Sequence, residues 1–157
     1  MMMNERITRD TMRQNAHENA NKRIKAAEER NGEANCLSPD GEYHGCLGEE
    51  VFRVTYRFPP QDHSKPYDHD FDYLGWRIEI KTTPHPNLIL NKDKPFNADI
   101  YIYYHYDKDT DWAIAKGWAT KAELKATTPR LFRNDMCHHI YYKKLRPMDT
   151  LIDYLIK

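Results

Sequence analysis

The chain has 157 residues, 39% hydrophobic and 31% charged, with 24 basic and 24 acidic side chains. That length predicts a domain with a core of its own, the composition excludes a disordered chain, and a net charge of zero speaks against an indiscriminate, high-affinity nucleic-acid binder. No run approaches a membrane span and the start lacks the apolar centre of a secretory signal, so a soluble, cytoplasmic protein that contacts no membrane is expected.

From Asn4 to Asn31 the sequence is polar and free of proline and glycine, with Ala16, Ala20, Ile24 and Ala27 recurring every three or four residues. This predicts a long helix with a narrow small-residue stripe, lying along the domain or pairing with a second copy in a homodimer. Residues 1–35 are therefore expected to form an N-terminal helical extension, and 36–157 the main domain. Ser38-Pro39-Asp40-Gly41 predicts a turn. A helix then starts near Cys46, placing Leu47, Val51, Val54 and Phe58 on one face, until Pro59-Pro60 stops it. Glu49 and Glu50 in its first turn suit the positive end of the helix dipole.

The stretch from Pro66 to Thr83 reads PYDHDFDYLGWRIEIKTT and predicts a β-hairpin turning at Leu74-Gly75. Strand side chains alternate between faces, so Ile78 and Ile80 share a core face while Glu79 and Lys81 share the other. Asp68, Asp70 and Asp72 likewise share one face of the first strand, and matching the apolar faces brings one or two of them across from Glu79. Like charges facing one another destabilise a sheet, and a divalent cation is the simplest reason to assemble them.

Beyond the hairpin, Pro84-His85-Pro86 ends the pairing, and 87–96 predicts a loop containing the apolar piece Leu88–Leu90; His85 lies on it, close to the site strand. Ala98–Tyr106 and Trp112–Trp118 predict a second hairpin, the first of its strands central because it is apolar on both faces. Thr120 caps a short helix over Lys121–Lys125, with Glu123 completing a capping box. Arg130, Arg133 and Asn134-Asp135 predict a basic loop, His139–Lys144 a last strand, and Pro147 the start of a closing helix buried through Met148, Leu151, Ile152 and Leu155.

Two further distributions bear on function. Cys36, Cys46 and Cys137 form neither a disulfide framework nor, with His44, His138 and His139, any CxxC or HxxxH zinc spacing. Residues 113–157 carry nine basic against four acidic side chains, which makes the C-terminal part the expected source of phosphate contacts, through Arg130, Arg133, Lys143 and Lys144.

Glu79-Ile80-Lys81, an aspartate on the preceding strand, and Gly45-Cys46-Leu47-Gly48-Glu49 at a helix start together resemble the PD-(D/E)XK nuclease superfamily, in its small phage and prokaryotic form. The chain departs from the pattern at the Pro-Asp pair, since Tyr67-Asp68 follows Pro66; Asp70 or Asp72 takes the place of the motif aspartate. The resemblance implies an α/β, restriction-endonuclease-like αβββαβ core, with a mixed central sheet flanked by helices, over Gly45 to Leu155, and the N-terminal helix outside it. It also implies a phosphodiester hydrolase acting on nucleic acid, DNA foremost, and leaving 5′-phosphate. Asp70, Glu79 and the Ile80 carbonyl would hold Mg²⁺, with Mn²⁺ as a substitute. Lys81 would act on the attacking water, and Glu49 would complete the catalytic set. The alternative is a module on the same scaffold that binds nucleic acid or a protein without cutting.

Overall fold

The computed structural model describes residues 8–31, 38–61 and 69–157. The chain divides into two compact units, one up to Pro66 and one from Tyr67. No helix among the described residues is long and apolar enough to cross a membrane.

The described residues of the first unit form a pair of helices, α1 (Arg9–Asn31) and α2 (Pro39–Tyr56). The alanine stripe is used here: Ala16, Ala20, Ala26 and Ala27 are buried, and small side chains let the two backbones come close. Asn15 bonds Glu50 near the end of α2 while Arg23 pairs with Glu42 near its start, so the helices run antiparallel. His17 stacks on Tyr43 with ring centroids 3.8 Å apart. Helix α2 begins seven residues before the predicted Cys46. The expected turn is its N-terminus: the Ser38 hydroxyl accepts from the Gly41 amide, Pro39 occupies the first helical turn, and Asp40 and Glu42 meet the positive dipole end. At the other end Arg57 takes a left-handed conformation (φ 60°) and Phe58 folds back onto Phe52.

The described residues of the second unit form seven strands in two sheets, where a single central sheet was expected. The first sheet has the order β1-β2-β4-β5, from β1 (Phe71–Tyr73), β2 (Trp76–Thr83), β4 (Ile100–Asp107) and β5 (Trp112–Thr120). It is mixed: β1 and β5 run antiparallel to their neighbours, and β2 and β4 run parallel. The β1–β2 turn has Leu74 at φ 49° and Gly75 at φ 84°, the doubly left-handed pair of a type I′ hairpin turn.

The second sheet, β3-β7-β6, is antiparallel, from β3 (Asn87–Asn91), β6 (Arg130–Phe132) and β7 (Asp135–Tyr141). Strand β3 corrects the loop expected there, and β6 corrects the basic loop. Strand β7 starts and ends earlier than the predicted His139–Lys144, whose last residues form a 3-10 turn, Tyr142–Lys144. Leu131 and Met136 are exposed, so the β6–β7 hairpin lacks the alternation that betrays a strand.

Strand β4 is central, and both its faces are covered. Ile100 and Ile102 line one face beside Ile78, Ile80 and Trp118, all buried. Tyr101 and Tyr103 line the other, in one cluster with Leu88, Leu90, Ala119, Leu124 and Leu145, to which the second sheet contributes. Helix α3 (Lys121–Lys125) carries the predicted capping box between Thr120 and Glu123. The closing segment is a 3-10 turn, Met148–Thr150, running into α4 (Leu151–Leu155), whose Leu151 and Leu155 are buried and whose Ile152 is exposed, contrary to the expected four-residue stripe.

Candidate active site

The hairpin register pairs Phe71 with Ile78, Asp72 with Arg77 and Tyr73 with Trp76. Continued by one residue, it sets Asp70 against Glu79. The Asp70 amide donates to the Ile78 carbonyl (3.0 Å), and its Oδ2 accepts from the Ile80 amide (2.7 Å), so the carboxylate is tied to the middle of Glu79-Ile80-Lys81. A strand residue's N–H and C=O point toward the same neighbour, so the Ile80 carbonyl is directed to the same side.

Glu79 and Lys81 stand on the β2 face opposite Ile78 and Ile80, beside Tyr101 and Tyr103 of β4. Lys81 Nζ lies 3.7 Å from Glu79 Oε1, and the two side chains are 31% and 19% exposed. Burial holds the Glu79 carboxyl above its ordinary range, against the downward pull of Lys81; the Asp70 charge adds to the rise and Lys94 opposes it. Burial also pushes the Tyr101 phenol up to about 12, against a hydrogen bond from the Ala98 amide and helped by the Glu79 charge. Glu79 is thus a half-sheltered carboxylate whose ionised form benefits from added positive charge.

The remaining candidates are placed as follows. Asp72 bonds His69 Nε2 (2.7 Å) with its side chain 75% exposed, one strand repeat away from the Asp70–Glu79 position. Asp68 and Cys36 lie outside the described residues. Glu49 belongs to the helical unit, where its buried carboxylate is in an ion pair with Arg23, and the adjacent Glu50 is held by Asn15 and Arg53. His85 is exposed, and its carbonyl accepts from the Tyr103 hydroxyl.

Arg130, Arg133, Lys143 and Lys144 are all exposed. Arg130 and Lys144 bear on one imidazole, His139, which burial first, then Arg130, His138 and Lys144, holds below its ordinary range. Lys143 instead lies over the Tyr142 ring, 6.0 Å from its centroid.

Lys94 was not a candidate from the sequence. It sits in the turn after β3, its amide bonded to the Asn91 carbonyl, and it bears on Glu79 because β3 runs beside β2. A loop reading of 87–96 hides that placement.

Among the described residues no three His, Cys, Asp or Glu side chains gather as a metal-binding group. The donors here are two carboxylates and a backbone carbonyl. That set fits Mg²⁺, which binds through one or two carboxylates and keeps several waters, and it does not fit a closed zinc site. No protein-family model, curated protein or solved structure matches the chain.

Proposed function

We propose that the second unit is a Mg²⁺-dependent nuclease that hydrolyses phosphodiester bonds in DNA and leaves 5′-phosphate. One observation carries this reading: Asp70 is bonded to the Ile80 amide beside Glu79, with Lys81 3.7 Å from the Glu79 carboxylate. The chain order of a helix, the β1–β2 hairpin and the central strand β4 supports the opening part of the restriction-endonuclease-like αβββαβ order, while the strands after α3, β6 and β7, belong to the second sheet and leave its closing strand without a counterpart in the first.

Asp70, Glu79 and the Ile80 carbonyl would hold Mg²⁺ or Mn²⁺. The bound ion would neutralise charge on the phosphate and make a water more acidic. Lys81 places an ammonium where a hydroxide and a scissile phosphate would both carry negative charge, and its role is to orient and stabilise the attacking oxygen. Lys94 adds a second cation that bears on Glu79. Tyr101 keeps its proton at neutral pH, so its hydroxyl contributes no competing charge.

A second reading is favoured by Glu49. Its carboxylate is already paired with Arg23, which accounts for its burial without any catalytic task and leaves the catalytic set that the resemblance implies short of one member. On that reading the protein binds nucleic acid or a protein partner without cutting. Incubation of end-labelled single-stranded, duplex and branched DNA, and of RNA, with protein and Mg²⁺ separates the two. Cleavage that needs Mg²⁺, yields 5′-phosphate and is lost in Glu79→Gln is expected. Intact substrates in every case, with folded protein, would overturn the nuclease and leave the non-cutting module as the reading.

A further inference from the structure

The β2 face that bears Glu79 and Lys81 continues to Thr83, and the β4 face beside it continues from Tyr101 through Tyr103 to His105. At the His105 end of this row is a cavity of about 260 Å³, lined by Pro86, Tyr103, His105, Lys116 and Tyr142.

Its walls are fixed by specific interactions. Tyr103 is fully buried, donates its hydroxyl proton to the His85 carbonyl and lies 3.1 Å from His105 Nδ1, from which the hydroxyl oxygen can then accept. The Tyr142 amide bonds the Pro86 carbonyl at 3.0 Å, joining the chain after β7 to the chain after β2. Lys116 is there because β5 is irregular. Tyr103 pairs with Gly117 and Tyr104 with Ala115, so Lys116 is the extra residue of a β-bulge, without a cross-strand partner. Strict alternation would send residue 116 to the face opposite 117; the bulge directs it to the cavity, and bulges commonly re-aim a side chain in this way. Its ammonium then lies 5.9 Å from the Tyr142 ring centroid, and Lys143 lies 6.0 Å from the same ring.

The chemistry is specific: the lining holds a proline, two tyrosines, an imidazole and one ammonium group, Lys116, with no carboxylate, and a second ammonium group, Lys143, lies over the ring of the lining residue Tyr142. The volume is under the roughly 300 Å³ at which pockets begin to take drug-sized ligands, so it suits a single ring system. Flat ring walls with Lys116 in the lining and Lys143 over the Tyr142 ring match a planar π-system that carries a phosphate. A base inside a duplex has both faces stacked and its pairing edge engaged, so it cannot enter without being extruded.

We infer that this cavity binds one unpaired nucleotide, with its base against Tyr142 and Pro86 and its phosphate at Lys116 and Lys143. The inference rests on the nuclease reading for the source of that nucleotide, a strand whose neighbouring phosphate lies at Lys81. The row supports that spacing, since the Lys81–Tyr103 and Thr83–His105 pairs are two residues apart, about 7 Å along the strands. The proposed substrate is therefore single-stranded or locally unpaired.

The test is fluorescence titration in EDTA, where nothing is cut. The probes are a single-stranded oligonucleotide containing 2-aminopurine, the same strand in a perfect duplex, and a free mononucleotide. The single strand should bind at least about tenfold more tightly than the duplex. Tyr142→Leu and Lys116→Ala should each weaken it by about fivefold or more, the low end for losing one stacked base. Lys116 is exposed, so its variant tests the cavity even if Tyr142→Leu folds poorly. A mononucleotide bound with the same Lys116 dependence, without binding of the strand, would support the nucleotide pocket and assign it to free nucleotides. Duplex binding equal to single-strand binding, or unchanged affinity in Lys116→Ala, would overturn the inference. The two readings fail separately. Lys116-dependent binding without Mg²⁺-dependent cleavage removes the nuclease and keeps the pocket, whereas cleavage with KM unchanged in Lys116→Ala does the reverse.

Discussion

Glu79 is the residue at which electrostatics and stability meet. Its carboxyl is held above the ordinary value of 4.5, so in the folded state it keeps a proton that the unfolded chain has already released. The folded state therefore binds more protons from pH 4.5 up to the raised value, and stability falls as pH rises through that window. Glu79→Gln removes the penalty. Without metal its melting temperature should exceed that of wild type at pH 7, and the gain should vanish below pH 4.5; a lower melting temperature at pH 7 would make Glu79 structural. Asp70 has a second duty at the Ile80 amide. Asp70→Asn keeps an acceptor there and should fold like wild type, while Asp70→Ala should be less stable than Asp70→Asn to urea unfolding by about 1 kcal/mol, one hydrogen bond's worth. Lys81→Ala should lower kcat by about two orders of magnitude or more, as when an electrostatic stabiliser is lost, with substrate affinity little changed. The juxtaposition of Glu79 and Lys81 was legible because strand alternation alone places i and i+2 together. Which aspartate joins them was not, since it depends on register, and the Arg23 partner of Glu49 lies 26 residues away, beyond any local pattern.

Elements that state their own boundaries were readable, and elements completed by distant partners were not. Leu74-Gly75 and Thr120-to-Glu123 are local devices, and both stand where their turn and capping chemistry puts them. Strand β3 pairs only with β7, nearly fifty residues later, so its five residues looked like a loop until that partner was in place. Ser38-Pro39-Asp40-Gly41 is compatible with a turn and with a helix start, and the Ser38-to-Gly41 bond selects the second. Gly117 is a further case of long-range control. A Cβ there would lie 2.6 Å from Leu145 Cβ and 2.9 Å from the Arg146 carbonyl, on the segment that bonds Trp118 in both directions. Gly117→Ala should destabilise the second unit by about 1–3 kcal/mol, the usual cost of overpacking, as measured by urea unfolding. Unchanged stability would mean that this segment moves away freely. At the hairpin, Leu74 occupies a left-handed position that asparagine tolerates better, so Leu74→Asn should raise the urea midpoint.

Within the second unit, the carboxylates of the candidate site and several exposed cations occupy separate places, although Lys81 and Lys94 lie near Glu79. Asp70 and Glu79 lie at one end of the tyrosine row, Lys116 and Lys143 at the other, and Arg130 and Lys144 flank His139 on the second sheet. Under the proposed function the carboxylates would govern metal and chemistry, while the outer lysines and arginines would govern affinity and its salt dependence. The most direct test of the central claim is calorimetric titration of Mg²⁺ and Mn²⁺ into the wild type and into Asp70→Asn, Glu79→Gln and Asp72→Asn. The account predicts a metal site in wild type and in Asp72→Asn, weakened in the other two by more than the roughly tenfold that loss of an outer-shell partner costs. Wild-type affinity in Asp70→Asn and Glu79→Gln, or no binding by the wild type itself, would contradict it.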